Sequence, residues 1–256
     1  MNLQYAAILL LMFSCNKSPE KNIHATGTVV ASNTAEIKAE VTGKLRSIHF
    51  IDGQKVTEGD VLFNIESTPY EERLEIAVSR RLQNISKLQY AAEKVDRYQT
   101  LLVNNYVSEN DCAQQISELT AYEGLVMQND AEIRSAKNDL NNCAIRAPFT
   151  AIAGKHLIDT GNFVQNNDIT LVHLNQIDPI YIDFTLTEKE YAKISTKKNL
   201  QILLTHPYNP NHTTKAKLIF IDNTIHQNKI SLRLEAPNPE YKFFPGQSIN
   251  IIISPI

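Results

Sequence analysis

The chain has 256 residues, 43% of them hydrophobic, which is enough for one large core or several small ones and suggests one or two domains. Its 25 basic and 28 acidic residues are interspersed and leave a net charge of −3. That excludes the basic patch or stripe that nucleic acid requires, and bulk electrostatics names no other partner.

Tyr5 to Phe13 is an apolar run, shorter than the roughly 20 residues that a membrane-spanning helix needs. It has the form of a signal-peptide core, and Met12-Phe13-Ser14-Cys15 resembles a lipoprotein cleavage box with a small residue just before the cysteine. The first basic residue, Lys17, follows the run rather than preceding it. The reading is a lipoprotein-type signal peptide over 1–15, a lipid anchor on Cys15 and a linker over 16–22. A frayed apolar N-terminus, or a start site placed too late, is the alternative. The other two cysteines, Cys112 and Cys143, are 31 positions apart. On one helix that is roughly 46 Å, far beyond disulfide reach. With no C-x-x-C spacing for a metal, both are expected to be core thiols.

From Tyr70 to Cys143 the chain runs 74 residues without a proline and with one glycine, Gly124, while Pro69 and Pro148 bracket the stretch. Proline is tolerated at a helix start and costly inside, so the pattern predicts helix. Leu74, Leu88, Val95 and Leu102 fall at multiples of seven, with a second row expected at Val78, Ile85 and Ala92. Leu119, Val126, Ile133 and Leu140 repeat the period downstream. A seven-residue apolar repeat winds helices into a left-handed coiled coil. Residues 104–110 are polar and rich in turn formers, the natural reversal of a helical hairpin over 69–143 with arms of about 34 residues, each roughly 50 Å long. One unbroken helix is the alternative, because Asn105 is a weak breaker.

The flanks repeat each other. At a constant offset of 108, residues 37–61 match 145–169: Ile37 with Ile145, Ala39 with Ala147, Gly53 with Gly161, Val56 with Val164, Asp60 with Asp168. Each copy reads as short strands joined by turns at Asp52-Gly53 or Thr160-Gly161. Neither is long enough to enclose a core. The two are expected to pack as quasi-symmetric halves of one small β-sandwich, residues 35–68 with 144–173, with the hairpin inserted between them.

From Asp178 onward the chain alternates like half-buried strands: Ile180, Ile182, Phe184 and Leu186, then Leu200/Ile202/Leu204, Ala216/Leu218/Phe220, Ile230/Leu232/Leu234 and Ile249/Ile251/Ile253. Thr187 and Glu190 form a capping box opening a short helix, and Pro245-Gly246 suits the middle of a type II turn. These strands, with another near residues 24–31, predict a β-barrel over 23–34 plus 174–256. The fold class is therefore mixed α and β, elongated and multi-domain.

This nested layout and its motifs resemble the periplasmic adaptors, or membrane fusion proteins, of RND-type tripartite efflux pumps. Gly27-Thr28-Val29 and Ile37-Lys38-Ala39-Glu40-Val41-Thr42-Gly43 look like the family's entry to its lipoyl-like domain. Gly53-Gln54-Lys55-Val56-Thr57-Glu58-Gly59-Asp60-Val61-Leu62 resembles its G-x-x-V-x-x-G-D-x-L stretch. Ile145-Arg146-Ala147-Pro148-Phe149 is similar to its returning segment, Asp178-Pro179-Ile180-Tyr181-Ile182 to its barrel entrance, and Pro237-Asn238-Pro239 with Phe244-Pro245-Gly246 to its tail. The motifs cover roughly 24–254 and are specific jointly rather than singly.

The resemblance implies a non-catalytic scaffold without cofactor or metal. It would form a homo-oligomer, a trimer or a hexamer, between an inner-membrane RND transporter and an outer-membrane channel, exporting small molecules from a periplasmic position anchored to the inner membrane as a lipoprotein. The family's hairpin tip carries an Arg, a Leu four residues on and a Ser seven further on, which dock on the channel. Arg97, Leu101 and Ser108 stand at those spacings. Two departures are visible. Thr150-Ala151 occupy the place of the family's usual Asp-Gly. The chain also stops at Ile256, just after the last expected barrel strand, so the membrane-proximal domain is expected to be absent. A structural coiled-coil lipoprotein, or an adaptor of an ABC exporter or type I secretion system, are the alternatives. A lipoyl or biotinyl carrier fits poorly, because the hairpin replaces the turn that would present the modified lysine. No zinc-helix histidine pair, G-x-S-x-G or phosphate-binding loop points to independent catalysis.

Overall fold

The computed structural model describes residues 22–197, 200–206 and 209–255. The expected signal peptide, its Cys15 and nearly all of the expected linker lie outside these residues. The chain is mixed α and β. In order it forms β1 (Ile23–Lys38), β2 (Gly43–Ile48), β3 (Lys55–Val56), β4 (Val61–Ile65), α1 (Thr68–Val103) and α2 (Glu109–Asn141). Next come β5 (Ala144–Arg146), β6 (Ala151–Ala153), β7 (Phe163–Val164), β8 (Thr170–Thr187) and α3 (Glu188–Ser195), and finally β9 (Leu200–His206), β10 (Asn209–His226), β11 (Lys229–Ala236) and β12 (Ser248–Pro255). They divide into two compact units, residues 33–176 and the residues up to Ser32 together with those from Ile177 on.

Within residues 33–176, one sheet has the order β5-β4-β2-β7, and β3 pairs with β6, which pairs with the start of β8. The sequence repeat maps onto this arrangement strand for strand. Gly43 faces Val164 and Lys44 faces Phe163 between β2 and β7, while Val56 faces Ala151 and Lys55 faces Ile152 between β3 and β6. Each copy thus lends its short strand to the long strand of the other. Both turn glycines sit at positive φ, Gly53 at 81° and Gly161 at 95°, a region that L side chains enter only with strain. The core joins Ile37, Ala39, Leu45, Leu62, Phe63 and Ile65 of the first copy to Ile145, Ala147, Ala153 and Leu171 of the second. Phe50 meets Phe63 edge to face at 5.3 Å.

The two long helices rise from this core. Pro69 occupies the first turn of α1, where a missing N–H does no harm. The Tyr70 hydroxyl donates to the Thr42 carbonyl at 2.6 Å, and where the chain leaves α2 the Ile65 amide donates to the Cys143 carbonyl at 2.8 Å. Contacts between the helices run antiparallel: Arg81 with Asp130, Asn84 with Asn129 and Lys94 with Glu118.

One inward row matches the expected heptads, since Leu74, Leu88, Leu102, Leu119, Val126, Ile133 and Leu140 are half-buried and Val95 is buried. Of the second row only Ile85 is half-buried. Val78 is 47% exposed and Ala92 is exposed, whereas Ala77 and Ala91 are buried with Asn84 and Tyr98 half-buried between and beyond them. The facing row on α2 is Gln115, Tyr122, Asn129 and Ala136. This row is small and polar, so apolar periodicity points one residue away from it.

In the other unit the strand order is β1-β12-β9-β10-β11-β8, and strands β1 and β8 also pair with each other. Gly27 sits where β8 and β12 come close: a Cβ there would lie 2.7 Å from Ile182 and 2.9 Å from Ile251. Ile180, Ile182, Phe184, Leu186, Leu204, Leu232, Leu234, Ile249, Ile251 and Ile253 are buried along one face of their strands, as the alternation predicts. Phe220 departs from it and is 54% exposed, because the register of β10 shifts between Leu218 and Phe220 and a bulge reverses the facing of the residues beyond it. The Thr187–Glu190 capping box opens α3 as expected. Asn238, between two prolines, is buried and fully bonded. Its side-chain amide donates to the Ile177 and Phe243 carbonyls, its side-chain oxygen accepts from the Phe243 amide, and its own amide donates to Asp178.

Candidate functional site

The far end of the helix pair, away from the core, gathers the three residues expected to dock. Helix α1 stops at Val103 because the chain tightens: the Asn104 and Tyr106 amides both donate to the Leu101 carbonyl, and the Asn105 amide to that of Leu102. Asn104 also turns its side-chain amide back onto the Thr100 carbonyl at 2.9 Å. Asn105 then adopts a φ of 58°, a left-handed conformation that asparagine tolerates better than most residues. The reversal occupies residues 104–108, and the weak breaker works because its neighbours absorb the carbonyls that α1 leaves open.

Helix α2 begins with a second capping box that the Ser-x-x-Asp spacing offers. The Ser108 hydroxyl accepts from the Asp111 amide at 3.1 Å and donates to the Asp111 carboxylate at 2.6 Å, and the Ser108 amide donates to the same carboxylate. The hydroxyl bond from Ser108, with the amide bond second, holds the Asp111 carboxyl below its ordinary value. Glu109 and Asp111 also place negative charge in the first turn, where the helix dipole favours it.

Arg97 and Leu101 lie one turn apart on α1, so they are neighbours on its surface; Arg97 is exposed and Leu101 half-buried. Ser108 lies across the reversal, exposed, with its hydroxyl committed to the cap. Two residues that the sequence pattern does not single out protrude further: Val103 at 83% and Tyr106 at 77% are among the most exposed large hydrophobic side chains of the described residues. The signal for them was the place of Tyr106 in the polar reversal and of Val103 immediately before it, neither in a heptad row.

The opposite end of the pair holds a cleft of about 780 Å³ lined by Glu36, Lys38, Glu40, Leu140, Asn142 and Arg146 among others. Its charges are mixed and select no ligand. Among the described residues no group of His, Cys, Asp and Glu has the arrangement of a metal site, Cys112 and Cys143 are buried and free, and no helix is long and apolar enough to cross a membrane.

Comparison with known proteins places this geometry. Residues 33–176 match the family model described as "RND MFP, barrel-sandwich hybrid domain". The multidrug resistance protein MdtA of Proteus mirabilis is 30% identical over 234 residues, covering 89% of this chain and 57% of its own length. MdtA of Yersinia pestis is 32% identical over 237 residues, with 88% and 53% covered. The chain thus spans little more than half the length of these relatives. Among solved structures, MacA from Actinobacillus actinomycetemcomitans superposes with a TM-score of 0.72 at 20% identity, over 92% of this chain and 79% of that one. A putative efflux transporter from Bacteroides eggerthii gives 0.70 at 17% identity, with 92% and 70% covered; these two show a shared fold. With more than half of its residues matched by the family's own domain model, the chain belongs to the RND membrane fusion protein family.

Proposed function

We propose that the protein is a non-catalytic periplasmic adaptor that joins an inner-membrane RND transporter to an outer-membrane channel and serves the export of small molecules. The observation that carries this reading is the capped reversal at residues 104–108 with the helix turns that flank it. It is a helix end held far from the core, with Arg97, Val103 and Tyr106 turned to solvent. The names of the relatives, multidrug resistance proteins, support the substrate class.

In this reading α1 and α2 form a coiled-coil hairpin over 69–143. Residues 35–68 with 144–173 form a lipoyl-like sandwich, and residues 23–34 with 174–256 a β-barrel. Copies of the chain assemble as a trimer or hexamer, and Cys15 carries the lipid that holds them at the inner membrane. Arg97, Leu101 and Ser108 dock on the channel, Arg97 through its donor fork and Leu101 as an apolar knob.

The test is Leu101→Asp combined with Ser108→Asp. Aspartate at 108 can still accept from the Asp111 amide as an N-cap but sets a second carboxylate beside that of Asp111, so circular dichroism, which should still show the helices, accompanies the binding measurement. Co-purification with the outer-membrane channel should fall; unchanged co-purification contradicts the assignment of the tip.

A further inference from the structure

Among the side-chain clusters away from the helix tip, one links the two half-motifs through an ionisable ring. His156 follows β6 in the second copy, and its Nδ1 lies 2.7 Å from Oδ1 of Asp52, in the first copy's turn. The His156 amide donates to the same oxygen at 3.0 Å. On the other side of the ring, Nε2 lies 3.5 Å from Oδ1 of Asp159. A neutral imidazole has one N–H, so it leaves a lone pair facing one of the two carboxylates; an imidazolium donates to both.

We propose that His156 is a pH-sensitive clasp: its protonated ring ties the Asp52-Gly53 turn to Asp159 through both nitrogens, and its neutral ring, left with one N–H beside the unchanged backbone bond, holds the turn less tightly. Side-chain packing around the turn is sparse, and backbone bonds are its other ties. Gly53 sits at positive φ with open space around it, and Ile51 beside it is 77% exposed. Backbone bonds link Gly53 to Ala153 and Ala153 to Gln54, and the clasp lies one step beyond them.

The electrostatics agree with the geometry. The bond to Asp52, and secondarily Asp159, raises the affinity of His156 for its proton against a smaller opposing effect of burial. The backbone and then the side-chain bond from His156 hold the Asp52 carboxyl below its ordinary value, and Lys155 acts in the same sense. The other ionisable side chains on the elements packed here are Lys55 in β3 and His173 in β8, whose carbonyl accepts from Gly154. The histidine's contribution is complete below about pH 6.5 and is lost as pH rises through its higher folded value. That of Asp52 is present above its ordinary value of 3.8 and is lost as pH falls through its lowered one. The clasp is therefore tightest in weak acid and loosens as pH rises through the histidine's raised folded value.

The repeat supplies an internal control. Counting 108 positions on, Asp52 corresponds to Thr160, and counting back, His156 corresponds to Ile48. The second turn therefore has no such pair, and its Asn162 side chain bonds instead to the Asp159 carbonyl at 3.0 Å. The experiment is amide hydrogen exchange of the full chain from about pH 5.5 to about pH 8.5, a range spanning the ordinary imidazole value, with the intrinsic pH dependence of exchange divided out. The protection of Gly53 should fall several-fold across the range while that of Gly161 stays level, and Asp52→Asn or His156→Gln should each abolish the fall. NMR titration should place the His156 midpoint above that of a free imidazole in the wild type and back near it in Asp52→Asn. A Gly53 protection that does not change, that changes in step with Gly161, or that changes equally in His156→Gln overturns the proposal.

Discussion

Leu45 and Ala153 hold equivalent places in the two half-motifs. The Leu45 amide donates to Asn162 and its carbonyl accepts from Gly161, while the Ala153 amide donates to Gln54 and its carbonyl accepts from Gly53. The four bonds are 2.8 to 2.9 Å long. Each copy thus fastens the turn of the other, so neither half can close its share of the core alone.

That reciprocity predicts matched effects at the two turns. Nothing lies within 4 Å of a Cβ added at Gly53 or Gly161, so Gly53→Ala and Gly161→Ala meet only backbone strain. Each should destabilise by about 1–2 kcal/mol. Urea denaturation of the two variants should give similar losses; a clear loss at one turn alone would break the equivalence.

Ser108→Ala removes the cap of α2 and should lower stability by about 1 kcal/mol, whereas Ser108→Thr, which keeps the hydroxyl, should be close to neutral. Thermal unfolding separates the two. The Asp111 carboxylate bonded to Ser108 contributes above its ordinary titration range, and that contribution disappears as pH falls through its lowered value. The gap between wild type and Ser108→Ala should accordingly narrow in acid.

In the helix pair, the Asn84 side-chain amide donates to Asn129 at 2.7 Å, and Asn129 is only 5% exposed. Removing one partner leaves a buried amide short of a bond, so Asn84→Ala should cost about 1 kcal/mol or more. Replacing both residues by leucine should recover that loss or exceed it, since an apolar layer holds such helices more strongly than a polar one. A double variant no more stable than the single one contradicts the assignment of this layer to the seam.

Asn238→Ala would strip the bonds from the Ile177 carbonyl and from both the amide and the carbonyl of Phe243. With these groups buried, a loss of about 2–3 kcal/mol is expected, read by chemical denaturation. A change under about half a kcal/mol would mean that water replaces the side chain.

How far the fold could be read ahead depended on which property the residues encode. The repeat was legible because its turns need glycine and its strands need the same apolar spacing, and the paired strands β2–β7 and β3–β6 fall on it. The first heptad row was legible because Leu and Val carry it. The second was not, because Ala77, Asn84, Ala91, Tyr98 and Gln115 bury small or polar groups and give no apolar signal. Phe220 belonged to an alternating strand by pattern, and the bulge that turns it outward has no marker in composition. At the helix tip, the spacing of Arg97, Leu101 and Ser108 was legible, but the commitment of the Ser108 hydroxyl to Asp111 and the exposure of Val103 and Tyr106 depend on how the reversal folds.

The adaptor role is tested most directly by the partner that the helix tip touches. A photo-crosslinking amino acid at Tyr106, which is exposed and leaves the Ser108 cap intact, should be activated in living cells and its captured partner identified by mass spectrometry. Capture of an outer-membrane channel protein is the result predicted; capture only of lipid, peptidoglycan or further copies of this chain would contradict the adaptor role and favour a structural lipoprotein.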